Sequence, residues 1–136
     1  MDLEQAREFL RANHRAVLAT ARADGRPQLS PVACGVDDAG RVIISTRETA
    51  VKTRNLRREP AASVCVFSNA FFGAWVQVDG TAEIISLPAA MDLLVDYYRG
   101  ISGEHPDWAE YRAAMVRDKR CIVRVTITRA GPDISG

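Results

Sequence analysis

Residues 45–60 read STRETAVKTRNLRREP, and this stretch decides how the rest of the chain is interpreted. It follows the β-branched run at 42–44 and ends at Pro60, which cannot continue a helix. Nothing between them breaks a helix. The pattern therefore predicts a strand, a turn rich in hydroxyl groups and a short helix, which Thr46 or Thr49 would cap.

The charges of this helix are unusual for a surface helix. The stretch carries five basic residues against two acidic ones, a net charge of +3 in a chain whose total is +1. A helix N-terminus is electropositive and favours Asp or Glu, yet Lys52 stands near the first turn. Cations gathered around free N–H groups and hydroxyls indicate an anion site that suits a phosphate. The alternative is a solvated face rich in arginine, and the residues alone leave both interpretations open.

The whole chain is that of an ordinary soluble globule. Its 136 residues are 47% hydrophobic and 26% charged, which predicts one domain over 1–136 with a real core. The near-neutral charge argues against a nucleic-acid or membrane partner. The acidic N-terminus lacks a signal-peptide pattern, so we expect a cytoplasmic protein. Cys34, Cys65 and Cys121 form no Cys-x-x-Cys pair, and we expect buried, reduced thiols rather than a metal site.

Hydrophobic spacing and turn signals predict the other elements. A helix is expected over 2–12, stopping at Asn13. Strands are expected at 16–21, 28–36, 41–45, 62–68, 74–85 and 121–128, with a hairpin turn at 23–25 and a bend at Asp79-Gly80. Further helices are expected from a Ser86 cap to Gly100 and around Trp108, Tyr111 and Met115, before a loose tail at 130–136.

The order of these elements indicates the fold class. Most strands are joined by tight turns, so the sheet should be largely antiparallel. Pro31 places its strand at a sheet edge or at a bulge. Six strands can curl into a small barrel with helices packed outside, a mainly β fold of the α+β class. No strand–GxGxxG–helix unit is present, which argues against a Rossmann domain.

Few residues offer chemistry of their own. His14 and His105 have no metal-ligand partners at suitable spacing, and we interpret them as a helix-end residue and a loop or cap residue. Glu83 should face solvent. Trp75 follows Phe71 and Phe72 closely, and these aromatic side chains could line a binding site for a planar ring. Alternatively, Trp75 packs in the core or against another subunit. The sequence thus predicts an anion site and aromatic residues near a binding site, but no clear catalytic acid, base or nucleophile. This combination fits a protein that holds a reactive cofactor.

Seven segments also carry a resemblance to a known family: VLAT (17–20), GRPQLS (25–30), KTRNLRREP (52–60), GTA (80–82), YR (98–99), GEHPDW (103–108) and Arg120. In this order they resemble the split β-barrel flavin and deazaflavin oxidoreductases related to pyridoxamine-phosphate oxidase. Within that family the chain is most similar to the small actinobacterial members that use the deazaflavin coenzyme F-420. The resemblance implies a six-stranded antiparallel split barrel of the FMN-binding type, forming a homodimer with two cofactor sites at the subunit interface.

The resemblance also implies the site residues. Lys52 and Ser45 would bind the cofactor phosphate, the segment 28–30 would lie near the ring, and Trp75 would help to form the pocket of its own subunit or of the partner subunit. The full set of expected cofactor-binding residues is Gln28, Ser30, Ser45, Thr46, Lys52, Thr53, Arg54, Asn55 and Trp75. Arg54, Arg57 or Arg58 could meet the cofactor's oligoglutamate tail. No catalytic side chain or metal ligand is expected.

Two residues depart from the family pattern. Pro31 stands where a close relative has Asn, which removes a polar contact to the ring, and Ala50 stands where it has Arg, which removes a phosphate or tail partner. Three functions follow: an F-420-dependent reductase that passes a hydride to an unsaturated or quinone-like acceptor, an FMN-dependent enzyme, or a non-catalytic cofactor carrier or sensor. FMN also carries a phosphate, so Lys52 does not separate the two cofactors.

Overall fold

The architecture comes from a computed structural model, which describes residues 1–132. It contains four helices and seven strands, in the order α1 (Leu3–Ala12), β1 (Arg15–Ala21), β2 (Pro27–Ala33), β3 (Gly35–Val36), β4 (Val42–Arg47), α2 (Val51–Arg58), β5 (Ala61–Phe67), β6 (Trp75–Ile85), α3 (Ala90–Ser102), α4 (Trp108–Arg117) and β7 (Arg120–Ala130). None of the helices over residues 1–132 is long and apolar enough to cross a bilayer. The loose tail expected at 130–136 was wrong at Ala130, which ends β7, and residues 133–136 lie outside the described part.

The expected count of six strands was wrong because the predicted strand 28–36 divides into two. Cys34 separates β2, which pairs with β1, from β3, which pairs with β4. The all-antiparallel sheet has the order β2-β1-β5-β6-β7-β4-β3, so its two edge strands are neighbours in sequence. A sheet whose edges are joined by one residue must curl, which produces an open, half-closed barrel. Pro31 lies in edge strand β2, where its missing N–H disrupts no ladder.

The alternation of buried residues shows which face of each strand lies inside. Interior positions are filled mainly by branched residues, including Leu18, Ile44, Val64, Val66, Val76, Val78, Val123 and Val125, and Leu10 of α1 joins them. A second cluster lies outside the barrel, where α3 and α4 pack on Ile43 of β4 and Ile122 of β7. Within residues 1–132 the outer face of β1 and β5 carries no helix.

The helix ends show which local signals were interpreted correctly. Asp2 caps α1 in a capping box with Gln5, and α1 stops at Asn13 as predicted. The Ser86 and Gly100 boundaries for α3 were wrong. Ser86 instead donates its hydroxyl to Glu48 at 2.6 Å, and α3 ends before Gly103, whose φ of 80° is easy only for glycine.

The predicted bend at Asp79-Gly80 is confirmed as a bulge where the register of β6 against β7 shifts. A Cβ atom at Gly80 would lie 2.1 Å from the carbonyl oxygen of Thr126, so only glycine allows the two backbones to approach this closely. The bend lets one long strand follow the curved wall of the barrel.

Candidate functional site

The N-terminus of α2 is the least satisfied helix end in the described chain. Its N-cap is Ala50, which has no capping side chain, so the prediction of a Thr46 or Thr49 cap was wrong. Thr46 fails to cap because it is buried in β4, with its side chain facing the interior. No acidic residue occupies the first turn, and the backbone N–H groups at positions 51–53 find no acceptor within residues 1–132. Three free N–H groups at a helix start form an anion-binding end.

Two arginines are placed beside this helix end by strand pairing. The register of β4 against β7 sets Arg47 directly opposite Arg120. Like charges at directly opposed positions in a sheet are destabilising. Lys52 lies close enough to both guanidinium groups for their charges to act on its ammonium. The fold therefore gathers three cations around the start of α2, and we call Arg47, Lys52 and Arg120 the cation cluster.

The cation cluster has no anionic partner among residues 1–132. None of its members forms a salt bridge with a carboxylate there. Burial, followed by the charges of Arg120 and Arg47, lowers the pKa of Lys52. The Nε atom of Arg120 is buried without a hydrogen-bond partner. Buried polar atoms are normally satisfied, so this orphaned donor fits an acceptor brought by a ligand.

The nearest acidic residue, Glu48, is engaged elsewhere. Arg57 and Ser86 both donate to its carboxylate. Burial raises the pKa of Glu48, but these two hydrogen bonds and the Arg57 charge outweigh it and hold the pKa below the ordinary value. Glu48 is therefore ionised at neutral pH, and its negative charge is directed at Arg57 rather than at the cation cluster.

Thr53 and Asn55 point into the protein and hold α2 in place. The Thr53 hydroxyl donates to the carbonyl oxygen of Arg47 at 2.7 Å and lies 3.3 Å from the Thr46 hydroxyl oxygen. The Asn55 amide donates to the Thr20 hydroxyl of β1 at 3.1 Å. All four side chains are buried. These bonds fix α2 between β4 and β1, so its free N–H groups stay beside the cation cluster.

Arg54, Arg57 and Arg58, the three arginines that could bind the oligoglutamate tail of the cofactor, differ in their contacts. Arg57 is paired with Glu48, and Arg58 donates to the carbonyl oxygen of Ala21 at 2.6 Å and to Asn55 at 3.1 Å. The side chain of Arg54 is exposed and makes no hydrogen bond or salt bridge within residues 1–132. Of the three, Arg54 is the one whose charge remains available to a ligand.

Gln28 and Ser30 belong to edge strand β2 and Ser45 belongs to β4, and we call the space between these two strands, which do not pair with each other, the opening. Gln28 and Ser30 are half-buried and share the inner face of β2 with Thr20 and Leu18 of β1. Ser45 is half-buried on the outer face of β4, and its hydroxyl makes no hydrogen bond within residues 1–132. Ser45 lies two residues before Arg47 and therefore on the same face of the strand, which places a free hydroxyl beside the cation cluster.

Tyr97 of α3 joins the two sides of this opening. Its hydroxyl donates to the carbonyl oxygen of Ala33 in β2 at 2.9 Å, and the backbone amide of Ser45 lies within hydrogen-bonding reach. Burial raises the pKa of Tyr97. One tyrosine therefore fixes the end of β2 relative to β4.

Trp75 lies far from the cation cluster within one chain. It begins β6, whereas Ser86, beside Glu48, follows the end of that strand. Ten residues of strand separate the two ends by roughly 30 Å. Trp75 lines an outward groove with the loop at 69–73, where Phe71 stacks on Phe67 at 5.7 Å and Phe72 is 97% exposed. Trp75 therefore shares no pocket with Lys52 in the same subunit.

The histidines and cysteines serve the structure. Nδ1 of His14 hydrogen-bonds the Cys34 carbonyl oxygen at 2.9 Å. His105 accepts from the Asp107 amide at 2.9 Å and packs among aromatic rings of α3 and α4, as a loop residue should. Cys34 and Cys121 are buried and Cys65 half-buried, all as free thiols. Burial raises the pKa of Cys34 to about 12, so this thiol stays protonated and inert.

Arg47 and Arg120 were not singled out as site residues from the sequence. Arg47 belonged to a basic run, and Arg120 was noted only through the family resemblance. A signal exists, because two like charges that meet across a pair of strands need compensation. It becomes visible only when the register of β4 and β7 is known, and these strands are about seventy residues apart.

Comparison with known proteins gives the family. Residues 3–131 match the family described as pyridoxamine 5'-phosphate oxidase. A conserved hypothetical protein, Rv2991 from Mycobacterium tuberculosis, is similar in structure, with a TM-score of 0.77, 26% identity, and coverage of 96% of this chain and 82% of that protein. A structure named F-420 reductase gives a TM-score of 0.71 and 21% identity over 91% of this chain and 94% of that one.

The same fold also occurs with other ligands. A heme binding protein from Mycobacterium smegmatis gives a TM-score of 0.71 at 20% identity, covering 94% of this chain and 52% of that protein. Similarity of fold at sequence identities of 20–26% does not identify the ligand of this chain. The match over residues 3–131, the half-closed antiparallel barrel and the anion-binding end of α2 agree with one another: this chain belongs to the pyridoxamine 5'-phosphate oxidase family, whose members bind flavin-type cofactors.

Proposed function

We propose that the protein is a coenzyme F-420-dependent oxidoreductase, which moves a hydride between the deazaflavin and a small unsaturated or quinone-like acceptor. The observation that carries the proposal is the cation cluster, three positive side chains with no negative partner within residues 1–132. An anion that compensates these charges would stabilise the arrangement. Family membership and the similarity to an F-420 reductase support a phosphorylated flavin-type ring compound as that anion.

Each residue of the site has a defined task in this proposal. Lys52, Arg47 and Arg120 bind the phosphate together with the free N–H groups of α2, and the Ser45 hydroxyl donates a further hydrogen bond. Thr46, Thr53 and Asn55 hold the helix so that these donors converge. Arg54 stands on the exposed side of α2, where it can meet a carboxylate of an acidic tail.

The bound deazaflavin supplies the hydride chemistry, and the protein supplies position and exclusion of water. Gln28 and Ser30 lie on edge strand β2, whose distance from β4 is fixed by Tyr97. A ring anchored by its phosphate at α2 would extend along this opening. No ionisable side chain of the site is assigned to proton transfer, and water can provide any proton that the acceptor needs.

The proposal includes a homodimer. The uncovered outer face of β1 and β5 presents Val17, Cys65 and Phe67, and the neighbouring loop exposes Phe71 by 71%. A contiguous apolar face of this kind is typical of a protein–protein contact. A second copy could also bring its Trp75 to the ring pocket, which Trp75 does not reach within its own chain. Sedimentation of the purified protein tests this part, since a monomer at micromolar concentration would contradict it.

The leading alternative is FMN, because its phosphate suits the same cations. Titration of F-420 and of FMN into the same apo-protein, followed by ligand fluorescence, compares the two directly. Tighter binding of F-420, together with reoxidation of reduced F-420 by an enone or quinone, supports the proposal. Tighter binding of FMN selects the alternative. Binding of F-420 without turnover of a panel of enones, quinones and tetrapyrroles identifies a carrier or sensor.

A further inference from the structure

The opening between β2 and β4 begins where a strand ladder stops. β3 pairs with β4 in an antiparallel register that sets Gly35 opposite Ile43. Carried back by two residues, the same register would set Ala33, the last residue of β2, opposite Ser45. Within residues 1–132 this pair does not form, and β2 takes part in a ladder with β1 alone. The strands therefore separate at Ala33 and Ser45.

The backbone groups of Ala33 and Ser45 have the right orientation to pair. Hydrogen-bonded and non-hydrogen-bonded pairs alternate along an antiparallel ladder. In the same register, the Asp37 amide donates to the carbonyl oxygen of Arg41 at 3.0 Å, so these two residues form a hydrogen-bonded pair. Ala33 and Ser45 lie an even number of residues away on their strands. A continued ladder would therefore join the Ser45 amide to the Ala33 carbonyl oxygen.

The hydroxyl of Tyr97 takes the place of this hydrogen bond. It donates to the Ala33 carbonyl oxygen at 2.9 Å and lies within hydrogen-bonding reach of the Ser45 amide. A direct bond would hold the carbonyl oxygen and the amide nitrogen about 2.9 Å apart. With a hydroxyl between them the distance becomes roughly 5 Å, because the two contacts meet at an angle at the hydroxyl oxygen. Tyr97 is therefore a spacer at the corner where β2 leaves β4.

Pro31 weakens pairing at the next hydrogen-bonded position. The same register would set Pro31 opposite Arg47, and proline has no N–H group to donate. The acceptor for that missing donor is also engaged, because the Arg47 carbonyl oxygen accepts from the Thr53 hydroxyl at 2.7 Å and from the Ala50 amide at 3.1 Å. One of the two hydrogen bonds of this pair is therefore excluded, which reinforces the separation made by Tyr97.

A cavity behind Tyr97 shows how its ring is held. The cavity has a volume of about 230 Å³, and its lining includes Val36, Ile43, Tyr97 and Gly100. A Cβ atom placed on Gly100 would meet no atom within 4 Å, so this part of the space is empty. Protein interiors are normally close-packed. On this side the ring is not fixed by dense packing, and the contacts of the hydroxyl keep it between the two strands.

We propose that Tyr97, assisted by Pro31, is a positioning residue that keeps the opening wide enough for the cofactor ring. The inference rests on the proposed function, in which a ring anchored by its phosphate at α2 extends along the opening. Paired strands lie about 4.8 Å apart and leave no space for a ring between their backbones. By holding β2 away from β4, Tyr97 preserves the space in which Gln28 and Ser30 can meet the ring.

Nuclear magnetic resonance of the labelled full chain without cofactor tests the spacer directly. Tyr97→Phe removes the hydroxyl, and the phenyl ring can move back into the cavity. We expect the Ser45 amide then to bond the Ala33 carbonyl oxygen, which gives a scalar coupling between the amide nitrogen and the carbonyl carbon that the wild type lacks. Tyr98→Phe is the matched control on the same helix, because the Tyr98 hydroxyl makes no hydrogen bond within residues 1–132. Absence of the coupling in Tyr97→Phe, or its presence in the wild type, would overturn the proposal.

Ligand binding gives a second readout that a merely structural tyrosine would not produce. Inorganic phosphate probes the cation cluster alone, whereas F-420 probes the cluster and the position of the ring together. We expect Tyr97→Phe to bind F-420 about tenfold more weakly and phosphate with less than about a twofold change. Equal weakening of both ligands, or unchanged binding of F-420, would overturn the positioning role. Failure of the wild type to bind F-420 or FMN would instead refute the proposed function, and the coupling in the apo-protein would still decide whether Tyr97 separates the strands.

Discussion

Replacement of Lys52 by methionine should change cofactor binding and apo-protein stability in opposite directions. Methionine keeps much of the length of lysine and its helix propensity but removes the charge. In the apo-protein Lys52 is repelled by Arg47 and Arg120 and forms no ion pair within residues 1–132. In the holo-protein the same charge would meet the phosphate. This substitution therefore distinguishes a Lys52 that binds the ligand from a Lys52 that only stabilises the fold.

The expected magnitudes follow from these contacts. Loss of a charge-assisted hydrogen bond to the phosphate should reduce the free energy of binding by about 1–3 kcal/mol, or about 5-fold to 150-fold in Kd. Relief of repulsion in the apo-protein is smaller, because Lys52 is only partly buried, and should raise the free energy of unfolding by a few tenths of a kcal/mol. At neutral pH lysine is charged in both folded and unfolded chains, so the repulsion is present in full in the wild type.

Two measurements on the same samples test this prediction. Fluorescence titration with F-420 gives Kd, and urea unfolding without cofactor gives the free energy of unfolding. Arg117→Met is the matched control, since it removes one positive charge from an exposed position on α4 whose only ion-pair partner within residues 1–132 is Glu110 at 3.6 Å. We expect the control to bind F-420 like the wild type.

The reasoning would be refuted by one combination of results. If Lys52→Met binds F-420 as tightly as the wild type does and its apo-protein is less stable, Lys52 is a structural residue. The unpaired cations would then need another explanation, and the phosphate assignment at the start of α2 would be lost.

Three further predictions concern the support of the site and the stability of α3. Asn55→Ala leaves the buried Thr20 hydroxyl without its partner, so urea unfolding should show a loss of about 2 kcal/mol. Glu48 has a folded pKa below its ordinary value of 4.5, so its stabilising effect is complete above that pH and is lost as the pH falls through the folded pKa. The stability difference between the wild type and Glu48→Gln should therefore be constant near neutral pH and shrink in acid, whereas a constant difference down to pH 3 would contradict the assigned pairing. Gly100→Ala should raise the free energy of unfolding by about 0.5–1 kcal/mol, seen as an increase in Tm, because alanine is the better helix former and nothing obstructs its Cβ.

Local patterns predicted much of the chain because their causes are local. The alternation of apolar residues predicted the long strands, and the hairpin turn at 23–25 and the stop at Asn13 depend on residues adjacent in sequence. The division of the strand at Cys34 was missed. It depends on β2 and β3 pairing with different partners, which a single segment does not reveal.

Helix starts were predicted less well, for a physical reason. Thr46, Thr49 and Ser86 are all good capping residues, yet the first is buried inside the barrel and the last is engaged by Glu48. A hydroxyl caps a helix only when no stronger tertiary partner competes for it. The sequence shows the candidates, and the packing selects among them.

The sequence by itself predicted an antiparallel barrel-like fold and an excess of positive charge around a short helix. Those properties depend on spacing and composition, which are readable along the chain. The tertiary structure decided which cations lie together. Strand pairing placed Arg120 beside Arg47 and Lys52, whereas Arg57 pairs with Glu48. Trp75 lies at the opposite end of β6 from this site. Electrostatic interactions act through space over a few ångströms, so their partners are fixed only when distant segments have been brought together.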